Sequence, residues 1–302
     1  METTENALDR YIRARERAVR FDDIETVPLS PAGRSEVYVH NGPTEDAVVL
    51  FHGLTNCAQQ FRALASDLHG AGATVFIPRL PRHGRVDRRK NALERVSAEE
   101  LRECATSALE IATGLGRRVT VAGLSAGGVM AAWLAQFRPE VARSVVIAPS
   151  FAFGGRIGVM AGDMQGPLLR LLPNFGLERF GDPKDILDHA YFNFPSRALG
   201  QVMLMGAEVR RAALRQAPRA ASIQVILNEA DTAVNDDVTI DLIKRWRRAG
   251  YDGLTVRELP RERNLIHDII DPAQRKQQTA YVYPILLDAI LGDRGPSLPN
   301  PA

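Results

Sequence analysis

Six short apolar runs recur along the chain, and stretches with helical periodicity separate them. The runs are rich in Val and Ile and occupy residues 47–51, 73–78, 117–123, 141–149, 222–227 and 254–259. Continuous apolar strands that alternate with helices are typical of parallel strands buried on both faces of a sheet. The pattern therefore predicts an α/β fold with a mostly parallel central sheet and helices on both of its faces.

The alternation is interrupted once, between residues 150 and 221, where no further strand-like run occurs. A stretch of about seventy residues is too long for a loop without structure of its own, so we expect a mainly helical cap (lid) inserted into the core. The core then comprises residues 23–149 and 222–292. An amphipathic helix is expected over 1–22, and a flexible tail over 293–302.

The expected apolar face of the N-terminal helix consists of Leu8, Tyr11, Ile12 and Val19, with alanines beside it. Such a face has to be covered. It packs either on the body of the protein or on a second copy, as in a homodimer.

Composition excludes several function classes. Lys and Arg number 38 against 36 for Asp and Glu, and a net charge of +2 provides no general attraction for nucleic acid or an anionic membrane. No run reaches the ~18 apolar residues of a membrane-spanning helix, and the N-terminus lacks the apolar core of a signal peptide. Cys57 and Cys104 match no metal or redox spacing. We expect a cytoplasmic protein without metal, organic cofactor, nucleic-acid partner or integral membrane association.

Ser125 interrupts an apolar run that extends from 119 to 135. It could cap a helix, since serine is a favoured N-cap residue. Alternatively, the spacing Gly123-Leu-Ser-Ala-Gly127 matches the nucleophile elbow, in which a sharp strand-to-helix turn exposes the serine hydroxyl. The strand pattern before Ser125 and the helix pattern after it favour the elbow.

A nucleophilic serine needs a base and a carboxylate that orients the base. His267 alone among the six histidines follows the last strand pattern and precedes the last helix pattern. Three aspartates follow the strand after the cap as candidate acids, namely Asp231, Asp236 and Asp237. The residues by themselves leave the choice among these three open.

The segments LFHGLTN, IPRLPRHG, GLSAGG, NEADTAV and HDIIDP resemble the α/β-hydrolase superfamily, and within it the carboxylesterase and monoacylglycerol-lipase-like branch. The resemblance extends from about residue 47 to 290. It implies the triad Ser125, Asp231 and His267, in the chain order nucleophile, acid, histidine. One departure is Ile266, since relatives often carry a small residue before this histidine.

The resemblance also implies an oxyanion hole formed by the backbone N–H groups of Leu54 and Ala126. Phe and Met side chains are frequent in the cap, and they either line an apolar substrate pocket or form the cap's own core. The candidate substrate-binding residues are Cys57, Phe151, Phe153, Met160 and Met203.

The loop at 79–90 carries six basic residues. They form either a solvated surface or a patch that attracts anionic substrates or lipid headgroups.

Together these features predict a serine carboxylester hydrolase that cleaves apolar acyl esters through an acyl-enzyme on Ser125. The expected partner is a small apolar ester with a short to medium chain, or a monoacylglycerol. The same triad would also serve a thioesterase, lactonase, amidase or carbon–carbon bond hydrolase, or a lipase acting at interfaces. A non-catalytic protein that binds a small molecule on a hydrolase fold is the alternative outside enzymes.

Overall fold

The computed structural model describes residues 6–87, 90–154, 158–178, 187–191 and 193–292. The expected tail at 293–302 lies outside these residues, as do Arg88 and Arg89 of the basic loop.

The strands of the main sheet are β1 (Glu36–Tyr38), β2 (Thr44–Phe51), β3 (Thr74–Ile77), β4 (Gly116–Leu124), β5 (Val141–Ile147), β8 (Ser222–Asn228) and β9 (Leu254–Leu259). Their spatial order is β1-β3-β2-β4-β5-β8-β9. Within this sheet β1 pairs with β3 in the antiparallel sense, and the other five pairings are parallel. All six predicted strands are present, and the predicted α/β fold with a mostly parallel sheet is confirmed.

The helices that cover the sheet are α1 (Ala7–Val19), α2 (Arg62–Gly70), α3 (Ala98–Leu115), α4 (Ala126–Phe137), α7 (Asp236–Arg248) and α8 (Thr279–Leu291). Helices α3, α4 and α7 contribute to the apolar cluster on one face, with α1 packed on α3, while α2 and α8 contribute to the cluster on the other. Successive strand residues alternate between the clusters, Val49 belonging to the first and Leu50 to the second. None of the described helices combines the length and hydropathy needed to cross a bilayer.

The N-terminal helix α1 buries a different face from the expected one. Tyr11 and Ala14 are buried together with Ala18, whereas Leu8, Ile12 and Val19 are 44–65% exposed. The helix lies so close to α3 that a Cβ on Gly114 would be 2.6 Å from the Cβ of Ala14. This close approach favours small side chains, so the alanines rather than the large aliphatic residues form the contact.

The described part of residues 150–221, the segment expected to form a cap, contains the helices α5 (Val159–Leu171) and α6 (Ser196–Ala212) and a short antiparallel pair, β6 (Gly176–Glu178) with β7 (Asn193–Pro195). Arg210 of α6 forms ion pairs with Asp163 of α5 and, at 2.9 Å, with Asp241 of α7. Its side chain is only 6% exposed, so these pairs connect α5 and α6 to α7 through a buried guanidinium.

Candidate active site

Ser125 occupies a sharp turn between β4 and α4. Its backbone has φ 60° and ψ −114°, a conformation that residues other than glycine rarely adopt. The Ser125 N–H donates to the carbonyl of Ile147 over 3.0 Å, and the Ser125 carbonyl accepts from Ser150 over 3.1 Å. A strained turn of this kind costs of order 1–3 kcal/mol and persists only when its surroundings hold it. The half-buried side chain of Ser125 thus projects from a turn fixed by the neighbouring strand β5.

The two glycines of the motif permit the close packing of this turn. A Cβ on Gly123 would lie 2.3 Å from backbone atoms of Gly127, and a Cβ on Gly127 would lie 1.9 Å from the carbonyl oxygen of Phe51. Neither position has room for a side chain. The glycine requirement therefore arises from contact between backbones.

The backbone N–H groups of Leu54 and Ala126 remain available as donors. Both residues are nearly fully buried, at 5% and 1% exposure, yet neither N–H has an acceptor within the described residues. The loop that carries Leu54 lies beside the turn, since a Cβ on Gly53 would be 3.7 Å from the Cβ of Ser125. Buried N–H groups are almost always hydrogen-bonded. Two unbonded ones beside a serine are suited to bind an oxyanion.

His52 orients the peptide group that carries the Leu54 N–H. Its Nε2 accepts from the backbone N–H of Leu80 over 3.2 Å, so the ring proton is on Nδ1, which donates to the Gly53 carbonyl over 2.9 Å. Complete burial lowers the pKa of His52 well below its ordinary value, with the nearby His83 contributing, and keeps the ring neutral. The Gly53 carbonyl and the Leu54 N–H belong to one peptide group, so this bond also polarises the donor.

Asp231 and His267 form a close pair. The Asp231 Oδ2 and His267 Nδ1 atoms are 2.5 Å apart, and their side chains are 1% and 27% exposed. Burial by itself would raise the pKa of the Asp231 carboxyl, but the charge and hydrogen bond of His267, with backbone N–H groups of Ala233 and Val234, lower it overall. The Nδ1 bond leaves the Nε2 atom of His267 as the nitrogen that can accept a proton from elsewhere.

Strand register places the three predicted triad residues at one edge of the sheet. Leu124, which ends β4, pairs with Ile147, and Ile147 pairs with Ile226 near the end of β8. Ser125 and Asp231 follow these strand ends, which are two strands apart, or about 10 Å. The loop of His267 follows β9, whose end pairs with the end of β8.

The alternative acids lie at the start of α7. Asp236 and Asp237 are in its first turn, where carboxylates interact favourably with the positive end of the helix dipole. The Asp237 carboxylate accepts from the Gly158 N–H over 3.0 Å. Asp231, by contrast, lies with its Oδ2 atom 2.5 Å from His267 Nδ1.

Asn228 and His83 are two residues of the site that sequence reasoning missed. The Asn228 side chain donates to the carbonyls of Leu265 and Ile266 over 3.1 and 3.2 Å, and so fixes the backbone before His267 despite the bulk of Ile266. A polar residue at the end of an apolar strand was the available signal. His83 is fully buried, with Nε2 2.8 Å from the Leu54 carbonyl. No local pattern indicates that contact.

The candidate substrate-binding residues occupy different environments. Cys57 is 1% exposed, its thiol donates to the Ala32 carbonyl over 3.2 Å, and burial raises its pKa to about 11. Phe151 and Met203 are buried at 4% and 3%, and both belong to the core cluster. These three side chains are packed as core residues.

Phe153 and Met160 differ from that group. Half-buried Phe153 pairs with Val234 in an isolated bridge, which places it next to the loop of Asp231. Met160 is 82% exposed on the surface of α5, so its contact with a substrate stays a prediction. The face of α5 opposite its contact with α6 carries this side chain outward.

The described arginines of the basic loop form internal ion pairs. Arg79 is 5% exposed and binds Asp22 at 3.1 Å and Glu25 at 3.3 Å. Arg82 pairs with Glu100 at 2.6 Å, and Arg85 pairs with Glu25 at 3.2 Å. These arginines therefore differ from both interpretations of the sequence, because their charges are compensated by acids of the same chain.

Comparisons with known proteins agree with this architecture. A family model described as "Alpha/beta hydrolase family" matches residues 48–268. A thermostable monoacylglycerol lipase of Bacillus sp. (strain H-257) is 29% identical over 182 residues, which cover 59% of this chain and 68% of that protein.

Two solved structures have similar folds. The structure reported for LipS and LipT, two metagenome-derived lipolytic enzymes, has a TM-score of 0.67 at 20% identity and covers 87% of this chain and 99% of that chain. The monoacylglycerol lipase of Paleococcus ferrophilus has a TM-score of 0.65 at 19% identity and covers 85% and 97%. At these identities the similarity shows the fold.

Proposed function

Because this chain belongs to the alpha/beta hydrolase family, we propose that it is a serine hydrolase that cleaves carboxylic esters with apolar acyl chains. The observation that carries the proposal is the 2.5 Å pair of Asp231 and His267 at the sheet edge where the strained turn presents Ser125. An oriented imidazole within hydrogen-bond reach of a serine hydroxyl is the arrangement that activates this nucleophile.

In the proposed reaction, His267 Nε2 removes the proton from the Ser125 hydroxyl as its oxygen attacks the ester carbonyl. The N–H groups of Leu54 and Ala126 stabilise the resulting oxyanion, and the buried Asp231 carboxylate stabilises the imidazolium. The carbon–oxygen bond to the alcohol then breaks, and His267 gives its proton to that alcohol. Water attacks the acyl-enzyme by the same route, with His267 again as base, and regenerates Ser125.

Two observations support a lipolytic substrate. The relative from Bacillus sp. and the structural neighbour from Paleococcus ferrophilus are both named monoacylglycerol lipases. The backbone of Phe153 pairs with Val234, so an apolar aromatic residue lies beside the loop of Asp231. We therefore propose an ester of a short to medium acyl chain, or a monoacylglycerol. The buried free thiols of Cys57 and Cys104 suit a reducing compartment, which supports a cytoplasmic location.

The test combines active-site labelling with a series of esters. A fluorophosphonate probe should label the native protein and should not label Ser125→Ala. Hydrolysis of acetyl, butyryl, octanoyl and palmitoyl esters of one chromogenic alcohol should be fastest for the butyryl or octanoyl ester. Octanoylglycerol should be hydrolysed below its solubility limit, as expected for an esterase-type enzyme.

Each contrary result favours a specific alternative. Absence of labelling of the native protein would favour a non-catalytic binding protein. Faster cleavage of the matching thioester, lactone or amide would favour one of the other hydrolases that use this triad. Fastest hydrolysis of the palmitoyl ester would contradict the proposed chain length, and a steep rise above the solubility limit would favour an interfacial lipase.

A further inference from the structure

Asp268, the residue after His267, carries a buried carboxylate that binds several donors. The side chain belongs to a residue only 5% exposed. Its Oδ2 accepts from the side-chain amides of Asn56 at 3.0 Å and Gln274 at 2.8 Å. Its Oδ1 accepts from the backbone N–H groups of Ile270 and Asp271 at 3.3 and 3.2 Å. An ionised carboxylate, which only accepts hydrogen bonds, matches this set of donors.

Asn56 connects that carboxylate to the oxyanion loop, defined here as residues 53–57. Asn56 is 1% exposed, and its backbone N–H donates to the Gly53 carbonyl over 3.1 Å. The Gly53 carbonyl belongs to the same peptide group as the Leu54 N–H. The Asn56 side-chain oxygen accepts from the Cys57 N–H over 2.9 Å, so the side-chain NH₂ faces Asp268 in a fixed orientation.

A continuous connection thus joins two parts of the proposed machinery. It begins at His267, passes through the neighbouring Asp268 carboxylate to the side chain of Asn56, and ends at the peptide group of Leu54. Asn56 and Asp268 are 212 positions apart in sequence. Hydrogen bonds to an ionised group are roughly twice as strong as those between neutral groups, so this contact can hold the two loops together directly.

We propose that Asp268 is a positioning residue that fixes the oxyanion loop relative to His267 through Asn56. The proposal rests on the proposed ester hydrolysis and specifies how the donor and the base of that site are held in one geometry. Small misplacements of such groups reduce transition-state stabilisation more than ground-state binding. Loss of the contact therefore lowers kcat and leaves KM nearly unchanged.

The test exchanges the two partners. Asn56→Asp places a carboxylate against the Asp268 carboxylate, and Asp268→Asn places an amide against the Asn56 amide. The double variant N56D/D268N restores a carboxylate–amide contact with its polarity reversed. We expect kcat to fall about 10- to 100-fold in each single variant, below the full loss of an oxyanion donor, and to recover most of that loss in the double variant.

Inhibition by n-butylboronic acid separates positioning from folding. Boron accepts the Ser125 oxygen to form a tetrahedral adduct that resembles the oxyanion intermediate, so its Ki should rise with the loss of kcat and recover in the double variant. Asn56→Ala, which removes the contact without opposing charges, serves if Asn56→Asp does not fold. Gln274→Met is the matched control: it removes a donor from the same Asp268 oxygen and leaves the bond between Asn56 and Asp268 in place, so kcat and Ki should stay near native.

Two results would overturn the proposal. One is a folded Asp268→Asn or Asn56→Ala variant with native kcat and native Ki. The other is a Gln274→Met variant that loses as much kcat as Asn56→Ala, which would show that Asp268 only stabilises its own loop. A native protein that neither hydrolyses esters nor binds the boronic acid would instead refute the proposed function.

Discussion

The guanidinium Nε of Arg79 lies 3.1 Å from the Asp22 carboxylate and joins the segment after α1 to the loop after β3. The same guanidinium donates to the His83 carbonyl over 3.1 Å, and the His83 ring contacts the Leu54 carbonyl at 2.8 Å. The N-terminal segment is therefore linked, through one buried arginine and one buried histidine, to the oxyanion loop.

Replacing Arg79 by Met should strongly destabilise the fold. The substitution leaves Asp22 without a buried cation and Glu25 with only Arg85, while their side chains are only 11% and 10% exposed. Removing one partner of a buried ion pair costs about 3–5 kcal/mol. Urea unfolding at pH 7 measures the effect.

Arg117→Met is the control for this prediction. Arg117 is 80% exposed and pairs with Glu45 at 3.5 Å, so its replacement should change the free energy of unfolding by less than ~0.5 kcal/mol. Equal effects of the two substitutions would contradict the assigned role of Arg79.

Replacing Asp231 by Asn should reduce kcat by roughly 10⁴-fold, because the imidazole loses its orienting carboxylate and takes the wrong tautomer. Asp237→Asn is the matched control, since Asp237 bonds to Gly158 at the start of α7. Its kcat should stay within about 3-fold of native, since charges in a first helix turn contribute mainly to helix stability. Steady-state kinetics on a butyryl ester measures kcat of both variants. A larger loss of kcat in Asp237→Asn than in Asp231→Asn would show that Asp231 is not the acid of the triad.

The pH dependence of stability should also report on Asp231. Its folded pKa is lowered overall, despite burial, by His267 and backbone donors. A carboxyl with a lowered folded pKa stabilises the fold above its unfolded pKa of about 3.9, and this contribution is lost as pH falls through the folded value. The difference in unfolding free energy between the native protein and Asp231→Asn, measured by urea unfolding, should therefore be smaller below about pH 4 than at pH 5. A difference that grows on acidification would contradict the pairing.

The fold was largely predictable because its signal is local. The inner strands of the sheet are buried on both faces over most of their length, so apolar β-branched residues are continuous in sequence as well as in space. The turn at Ser125 was predictable for a related reason, since Gly123 and Gly127 are required by contacts within one short segment and with the adjacent strand.

Features that depend on distant partners were not predictable in this way. Met160 and Met203 have the same composition signal, yet one is 82% and the other 3% exposed, because the packing of α5 on α6 decides which is covered. The three candidate aspartates Asp231, Asp236 and Asp237 lie within nine positions after β8, and their distance from His267 depends on the tertiary fold. The contact of Asn56 with Asp268 has no local signature.

Gly127→Ala should abolish the geometry of the Ser125 turn. A Cβ at this position would lie 1.9 Å from the Phe51 carbonyl oxygen, so α4 or β2 must shift. Overpacking against backbone costs at least about 1–3 kcal/mol, and displacement of the turn should also eliminate fluorophosphonate labelling. Gly42→Ala is the control, because a Cβ there would meet nothing within 4 Å and its φ is not in the left-handed region. Urea unfolding and fluorophosphonate labelling should show a clear loss in Gly127→Ala and native behaviour in Gly42→Ala. A Gly127→Ala protein with native stability and native labelling would show that the backbone at this turn is not packed as closely as the structure indicates.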